Sequence, residues 1–239
     1  MSFTLKGLTV LDRELTPFGE LTLERVETDC GDVAYQICLD RRYMMGSHGS
    51  HGERGMAMFA HGRLKREKKD LDVLIGGLGA GHTLRAVLDL PGVARVVVAE
   101  IGSKVLEWNR RYFAPFNGNA VDDPRVEVRV GDVLKVMENT PGAWDLLLID
   151  VDNGPLWLAT PANARLYDVP GVRVCRDALR PGGVLAFFSP CANPQFFGVM
   201  NAVFGAAVEE VRTTELAREV GETVDVIYLA VRGVEANAP

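Results

Sequence analysis

The sequence predicts an α/β protein, a doubly wound and mostly parallel seven-stranded sheet with a small antiparallel β appendage ahead of it. Three observations predict this. Residues 71–81, LDVLIGGLGAG, carry an apolar run into a glycine turn, the pattern of a strand feeding a helix. Further apolar runs at 96–99, 126–130, 144–149 and 184–188 alternate with segments of helical period, which calls for parallel strands joined by crossover helices. Residues 20–26 and 33–39 alternate apolar and polar side chains around Asp29-Cys30-Gly31-Asp32, the signature of a hairpin. The appendage is expected over residues 1–50 and the main domain over 51–239.

The length of 239 residues, with 47% hydrophobic and 24% charged side chains, suits one α/β domain with a modest addition. A net charge of −6 argues against nucleic acid as the partner, since phosphate binding needs a basic face. The basic run KREKK at 65–69 reads as a solvated helix end. Cys30, Cys38, Cys175 and Cys191 lack CxxC spacing, which suggests a reducing compartment and neither a disulfide framework nor a zinc site. No signal peptide is read in MSFTLKGLTV, and no apolar run reaches spanning length. A soluble cytoplasmic protein without a membrane partner is expected.

In order, the chain reads as follows. After the appendage, residues 43–55 (YMMGSHGSHGERG) hold three glycines and read as a loop or helix entry. A helix is expected from Met56 to Lys69. The strand at 73–75 leads to a helix at 82–88, a strand at 96–99 and a helix over 103–113. Strand 126–130, a further helix and strand 144–150 come next. A helix spans about 169–179, Arg180-Pro181-Gly182-Gly183 turns into strand 184–189, and a helix follows near 194–204. Two strand-like runs, 207–216 and 224–231, close the chain with no helix between them. That final hairpin is absent from dehydrogenase sheets and typical of the methyltransferase-type sheet.

Ligands of open α/β sheets bind beyond the carboxyl ends of the strands. Those ends present the glycine loop, Glu100, Asp132 and Asp150. Glu100 follows the loop by about twenty residues and can accept both hydroxyls of a ribose. Gly131-Asp132-Val133 offers a carboxylate and backbone groups to an adenine; equally, Asp132 can cap the next helix. Asp150 can take a proton or anchor an amine.

The segments IGGLGAGHTLRAVL, VVVAEIGSKVLEWNR, VEVRVGDV, WDLLLIDVDNGP and LRPGGVLAFFS resemble the spermidine synthase-like branch of the Rossmann-type S-adenosylmethionine-dependent transferases. The resemblance implies that Gly76, Gly77, Gly79 and Gly81 form the cofactor loop, that Glu100 binds ribose, and that Gly131, Asp132 and Val133 face adenine. It implies that Asp150 lies between cofactor and acceptor, and that a homodimer forms through the appendage. Two departures stand out. Gly79 occupies the place of an acid that contacts the cofactor tail, and Gly55, Met56 and Ala57 replace a Tyr-His-Glu stretch that grips a diamine.

On those departures the expected activity is methyl transfer from S-adenosylmethionine to a small-molecule acceptor, with Asp150 as base or amine anchor. The alternative is an aminopropyltransferase using decarboxylated S-adenosylmethionine, and a third reading is a non-catalytic nucleoside-binding protein. Tyr43, Met45, Ser47, His48, His51, Asp152 and Asn153 are the expected acceptor-side residues, with Trp157 and Tyr167 behind them. Asp152 can equally cap its turn. His48, His51 and Glu53 could suggest metal ligands, but no further Cys or His lies nearby, so no metal is expected.

Overall fold

The computed structural model describes residues 5–28, 31–48, 51–64, 69–213 and 225–233. The four strands β1 (Leu5–Thr16), β2 (Gly19–Thr28), β3 (Val33–Leu39) and β4 (Arg42–Gly46) form an antiparallel sheet in that order. Asp40 and Arg41, both with positive φ, make the two-residue turn from β3 to β4, a conformation whose twist matches the flanking strands. Alternation along β2 and β3 puts Leu21, Leu23, Ile37 and Leu39 on one face, where they join the core of the main domain.

The second sheet has seven strands in the order β10-β11-β9-β8-β5-β6-β7. Strands β5 (Leu71–Gly76), β6 (Val93–Glu100), β7 (Val126–Val130), β8 (Trp144–Ile149) and β9 (Leu179–Ser189) run parallel. At the far edge β11 (Val226–Val231) pairs antiparallel with both β9 and β10 (Val208–Arg212). The doubly wound sheet, its final hairpin and the N-terminal antiparallel sheet therefore stand as the sequence predicts.

Strand residues of the buried centre are apolar on both faces, because helices cover both. Val73, Ile75, Val96, Val98, Leu146 and Leu148 meet helices α1 (His51–Gly62), α2 (His82–Leu88) and α3 (Ser103–Trp108) on one side. Leu74, Val97, Leu147, Ile149, Leu185 and Phe187 meet the other three. These are α5 (Val133–Glu138), α6 (Val169–Ala178) and α7 (Pro194–Phe204). The chain leaves β5 toward β6 and returns to β8 on its other side, so a crevice opens at the carboxyl ends of β5 and β8.

Several boundaries differ from expectation. Helix α1 starts at His51, five residues before the predicted Met56. Glu53 in its first turn favours the helix dipole. Gly52 is needed there because a Cβ would come within 2.6 Å of the Asp225 carboxylate and 2.5 Å of the Phe188 ring. Tyr43 to Gly46 belong to β4 and not to a loop. The predicted helix over 103–113 becomes α3, a π-helical turn (Asn109–Phe113) and α4 (Ala114–Asn117). The predicted turn at 180–183 lies inside β9, where the pairing with β8 skips from Leu179 to Val184. Asp29-Cys30, Lys65 to Lys68, 214–216 and Val224 lie outside the described residues, as does part of each element expected there.

Candidate active site

The crevice is built first from backbone. The Asp150 N–H donates to the Gly76 carbonyl at 2.8 Å, which brings the end of β8 against the glycine loop. Gly77 adopts φ 90°, and a Cβ there would strike the Asp150 carbonyl, so only glycine permits this approach. From the end of β6, Glu100 accepts hydrogen bonds from the N–H groups of Leu78 and Gly102, each at 2.8 Å. It is 8% exposed. Burial pushes its carboxyl up while the backbone donors pull it down. Asp132 caps α5 by accepting from the Leu134 N–H at 2.9 Å, and its second oxygen pairs with the Arg165 guanidinium. The capping reading of Asp132 is thus realised, and the same residue also walls the crevice.

Two adjoining cavities occupy the crevice. The larger, about 770 Å³ counting space open to solvent, lies between Glu100, Gly131, Asp132 and Val133 on one side and the appendage residues Phe18, Leu21, Ile37 and Leu39 on the other. Ala159, Thr160 and Asn163 border it as well. That volume and its mostly apolar wall suit a nucleoside-sized ligand. The smaller, about 480 Å³, is bordered by Glu53, His82, Thr83, Asp152, Asn153 and Phe188. Met44, Met45, Gly79, Asp150 and Val151 line both. Met45 fills the space over Gly79: its sulfur would lie 2.6 Å from a Cβ at that position.

Electrostatics distinguish the smaller cavity. Asp150 accepts from the Thr83 hydroxyl at 2.7 Å. Burial pushes its carboxyl up to about 6 against that hydrogen bond, and Asp225 adds to the rise. Glu53 is pushed up to about 8, first by burial and then by the charges of Asp150 and Asp225. His82 donates to the Gly46 carbonyl at 3.0 Å, and burial pushes its imidazole down, so it brings no positive charge at neutral pH. Among the described residues no lysine or arginine lines either cavity. Nor does any group of three or more His, Cys, Asp or Glu among them have the arrangement to hold a metal ion.

The predicted residues are distributed unevenly around these cavities. Gly77, Gly79, Glu100, Gly131, Asp132, Val133, Asp150, Met45, Asp152 and Asn153 line one or both. Gly76, the last residue of β5, and Gly81, before α2, line neither. Tyr43, Ser47 and His48 line neither cavity. The Ser47 hydroxyl accepts from the Tyr35 N–H at 3.0 Å and bonds to His48, whose ring packs on Phe116, so these two residues tie β4 to its neighbours. The His51 side chain lies outside the described residues. Asp152 is occupied on both oxygens, accepting from the Ala159 N–H (2.6 Å), the Asn163 amide (2.9 Å) and the Tyr167 hydroxyl (3.1 Å). It thereby pins residues 159–167, and Tyr167 acts through it; Trp157 lines neither cavity.

Sequence reasoning missed Met44, Thr83, Phe188, Asp225 and the role of Glu53. For Glu53 a signal existed. It stands four residues before Ala57, hence on the same face of α1 one turn earlier. An acid is therefore offered from α1 although the Tyr-His-Glu stretch is absent. Asp225 gives no such signal, because its nearness depends on the pairing of β11 with β9.

Comparison with known proteins bears on the same region. Residues 54–196 match the family described as spermine/spermidine synthase domain. The chain is 37% identical over 134 residues to polyamine aminopropyltransferase 2 of Pseudomonas aeruginosa, covering 54% of this chain and 35% of that relative. It is 39% identical over 93 residues to polyamine aminopropyltransferase of Thermoanaerobacter pseudethanolicus, covering 39% of this chain and 33% of that one. The chain thus spans about a third of the length of these curated relatives. Its fold is similar to that of spermidine synthase from Thermotoga maritima, with a TM-score of 0.73 at 20% identity, over 95% of this chain and 74% of the other. The expectation of methyl transfer from S-adenosylmethionine is overturned, since these relatives are aminopropyltransferases. That expectation rested on the missing acid at Gly79 and on the absent Tyr-His-Glu stretch; Glu53 offers an acid from α1, and Gly79 is unchanged. With a match across more than half its length, the chain belongs to the spermine/spermidine synthase domain family.

Proposed function

We propose that this chain transfers an aminopropyl group from decarboxylated S-adenosylmethionine to a small-molecule amine. One observation carries the reading. The two joined cavities are walled by Glu53, Glu100, Asp150 and Asp152, and by Asp132, which Arg165 pairs from outside them, with no lysine or arginine among the described lining residues. Cationic amines offset the desolvation of such carboxylates. A donor that still carried its α-carboxylate would meet the Asp150 carboxylate, with no lysine or arginine among the described lining residues, and like charge at that place selects against it.

In this reading Glu100 holds the ribose hydroxyls and the backbone at residues 131–133 meets the adenine. Met44 and Met45 form the apolar partition beside Gly79. The donor supplies a carbon activated by its sulfonium. The acceptor nitrogen forms the new C–N bond as the C–S bond breaks, and methylthioadenosine leaves. The attacking nitrogen must be neutral, so a proton has to leave the acceptor ammonium. Asp150, with a carboxyl raised to about 6, is placed to take that proton or to anchor the amine. Thr83 fixes the orientation of its carboxylate, and Glu53 faces it across the smaller cavity.

The test is incubation of purified protein with decarboxylated S-adenosylmethionine and a panel of mono-, di- and triamines, read by mass spectrometry. Amine-dependent release of methylthioadenosine together with an aminopropylated product is expected. Release without a new amine product, or no release with any amine, would overturn the reading.

A further inference from the structure

Two wholly buried asparagines stand behind the glycine loop, outside both cavities. Asn109 opens the π-helical turn and Asn117 closes α4. The Asn109 amide donates to the Gly79 carbonyl at 2.7 Å and to the Val105 carbonyl at 2.9 Å. The Asn117 amide donates to the Ala80 carbonyl at 3.0 Å and to the Asn109 side-chain oxygen at 2.9 Å. The Asn117 oxygen accepts from the Ala120 N–H at 3.3 Å. Every donor hydrogen of both amides is used, and either amide turned over would set oxygen against oxygen. The pair is therefore a closed network with one orientation.

We propose that Asn109 and Asn117 are positioning residues that hold the Gly79–Ala80 peptides in the orientation the donor requires. This rests on the reading that the glycine loop binds the donor nucleoside. Three observations carry it. First, Gly77, Gly79 and Gly81 all have positive φ, and a loop with that freedom must be ordered either by the protein beforehand or by the ligand on binding. Second, the asparagines draw the Gly79 and Ala80 carbonyls away from the cavities. The held Gly81 N–H donates to the Leu78 carbonyl at 2.8 Å, and the Leu78 N–H donates to Glu100, which the proposed function assigns to the ribose. Third, Gly81 is tailored to the pair: a Cβ there would lie 2.5 Å from the Asn117 amide nitrogen and 2.7 Å from the Asn109 oxygen.

The π-helical turn is what makes the clamp possible. Eight α-helical residues rotate through about 800°, leaving side chains 109 and 117 roughly 80° apart around the axis. The wider turn at Asn109–Phe113 takes up part of that difference. Both amides then reach successive carbonyls of the same loop. The pair thus converges on a loop whose Gly79 lines both cavities.

The experiment compares wild-type protein with Asn109→Leu, Asn117→Leu and the double variant. Donor affinity is measured by calorimetry with decarboxylated S-adenosylmethionine, and the acceptor KM at saturating donor. Asn109→Asp, which keeps the shape but sets a carboxyl oxygen against the Gly79 and Val105 carbonyls, is measured alongside as the more disruptive change. All measurements are made well below each variant's Tm. Each single variant is expected to bind the donor about tenfold more weakly, the size of one lost hydrogen bond of this kind. The acceptor KM should stay within about twofold and the double variant should lose little beyond either single one, because the two side chains act as a unit. A lowered Tm with donor affinity unchanged would overturn the proposal and leave the donor reading intact. Absence of donor binding by the wild-type protein would overturn both.

Discussion

Replacing Glu53 with glutamine should stabilise the ligand-free protein and weaken its hold on the acceptor. The carboxyl is pushed from its ordinary 4.5 up to about 8. A folded-state value above the unfolded one means that the native protein binds more protons between those limits. Stability contributed by this group is therefore full below about 4.5 and is lost as pH rises toward 8. At pH 7 the loss amounts to at most about 3 kcal/mol, taking 1.36 kcal/mol per pH unit above 4.5. For a chain of this size each kcal/mol moves Tm by about 2–4 °C. Glutamine keeps the shape and removes the titration, so Tm should rise by several degrees at pH 7.5 and scarcely change at pH 5. The acceptor KM should rise at least about tenfold, as expected when a desolvated charge partner of an ammonium is removed. Thermal melts across pH 5–8 and steady-state kinetics on the same variant provide both readings. A Tm difference that does not depend on pH, with an unchanged acceptor KM, would show that Glu53 neither titrates in the fold nor faces the amine.

Other substitutions follow from the same geometry. Asp150→Asn should lower turnover by about 10²–10⁴ while calorimetry shows donor affinity within about threefold; unchanged turnover would remove Asp150 from the mechanism. Gly79→Asp restores the acid that the family resemblance places there, yet φ is 53° and Met45 occupies the space. It should cost about 1–3 kcal/mol in a denaturation curve, and Met45→Ala in the same chain should recover part of that. Asp152→Asn turns an acceptor of three hydrogen bonds into a mixed group. Amide exchange at residues 159–167 should accelerate, with a stability loss of about 1–3 kcal/mol.

The parts of the site that were legible in sequence share a physical cause. Glu100, Asp132 and Asp150 follow directly from apolar strands, because the residue after a buried strand must emerge at the sheet's carboxyl edge. The glycine loop is legible because backbone conformation there admits little else. Met45, Glu53 and Asp225 act through placement across elements. Met45 reaches the loop only because β4 extends the appendage as far as Gly46, in a stretch whose glycines read as a loop. Asp225 meets Asp150 and Glu53 only because an antiparallel strand closes the sheet. The error over the transferred group has this origin. A motif was sought at fixed positions, whereas an acid stands on the same helical face one turn earlier. The asparagine clamp was hidden for a related reason, since periodicity ended the helix at Phe113 and gave Asn117 no place on it.

Two acid-walled cavities, with no lysine or arginine among their described lining residues, are proposed to select a donor lacking its carboxylate. The most direct measurement is calorimetric titration of the ligand-free protein with decarboxylated S-adenosylmethionine and, separately, with S-adenosylmethionine. Tighter binding of the decarboxylated donor by about tenfold or more is expected, from one carboxylate set beside Asp150. Equal affinity, or a preference for S-adenosylmethionine, would contradict it.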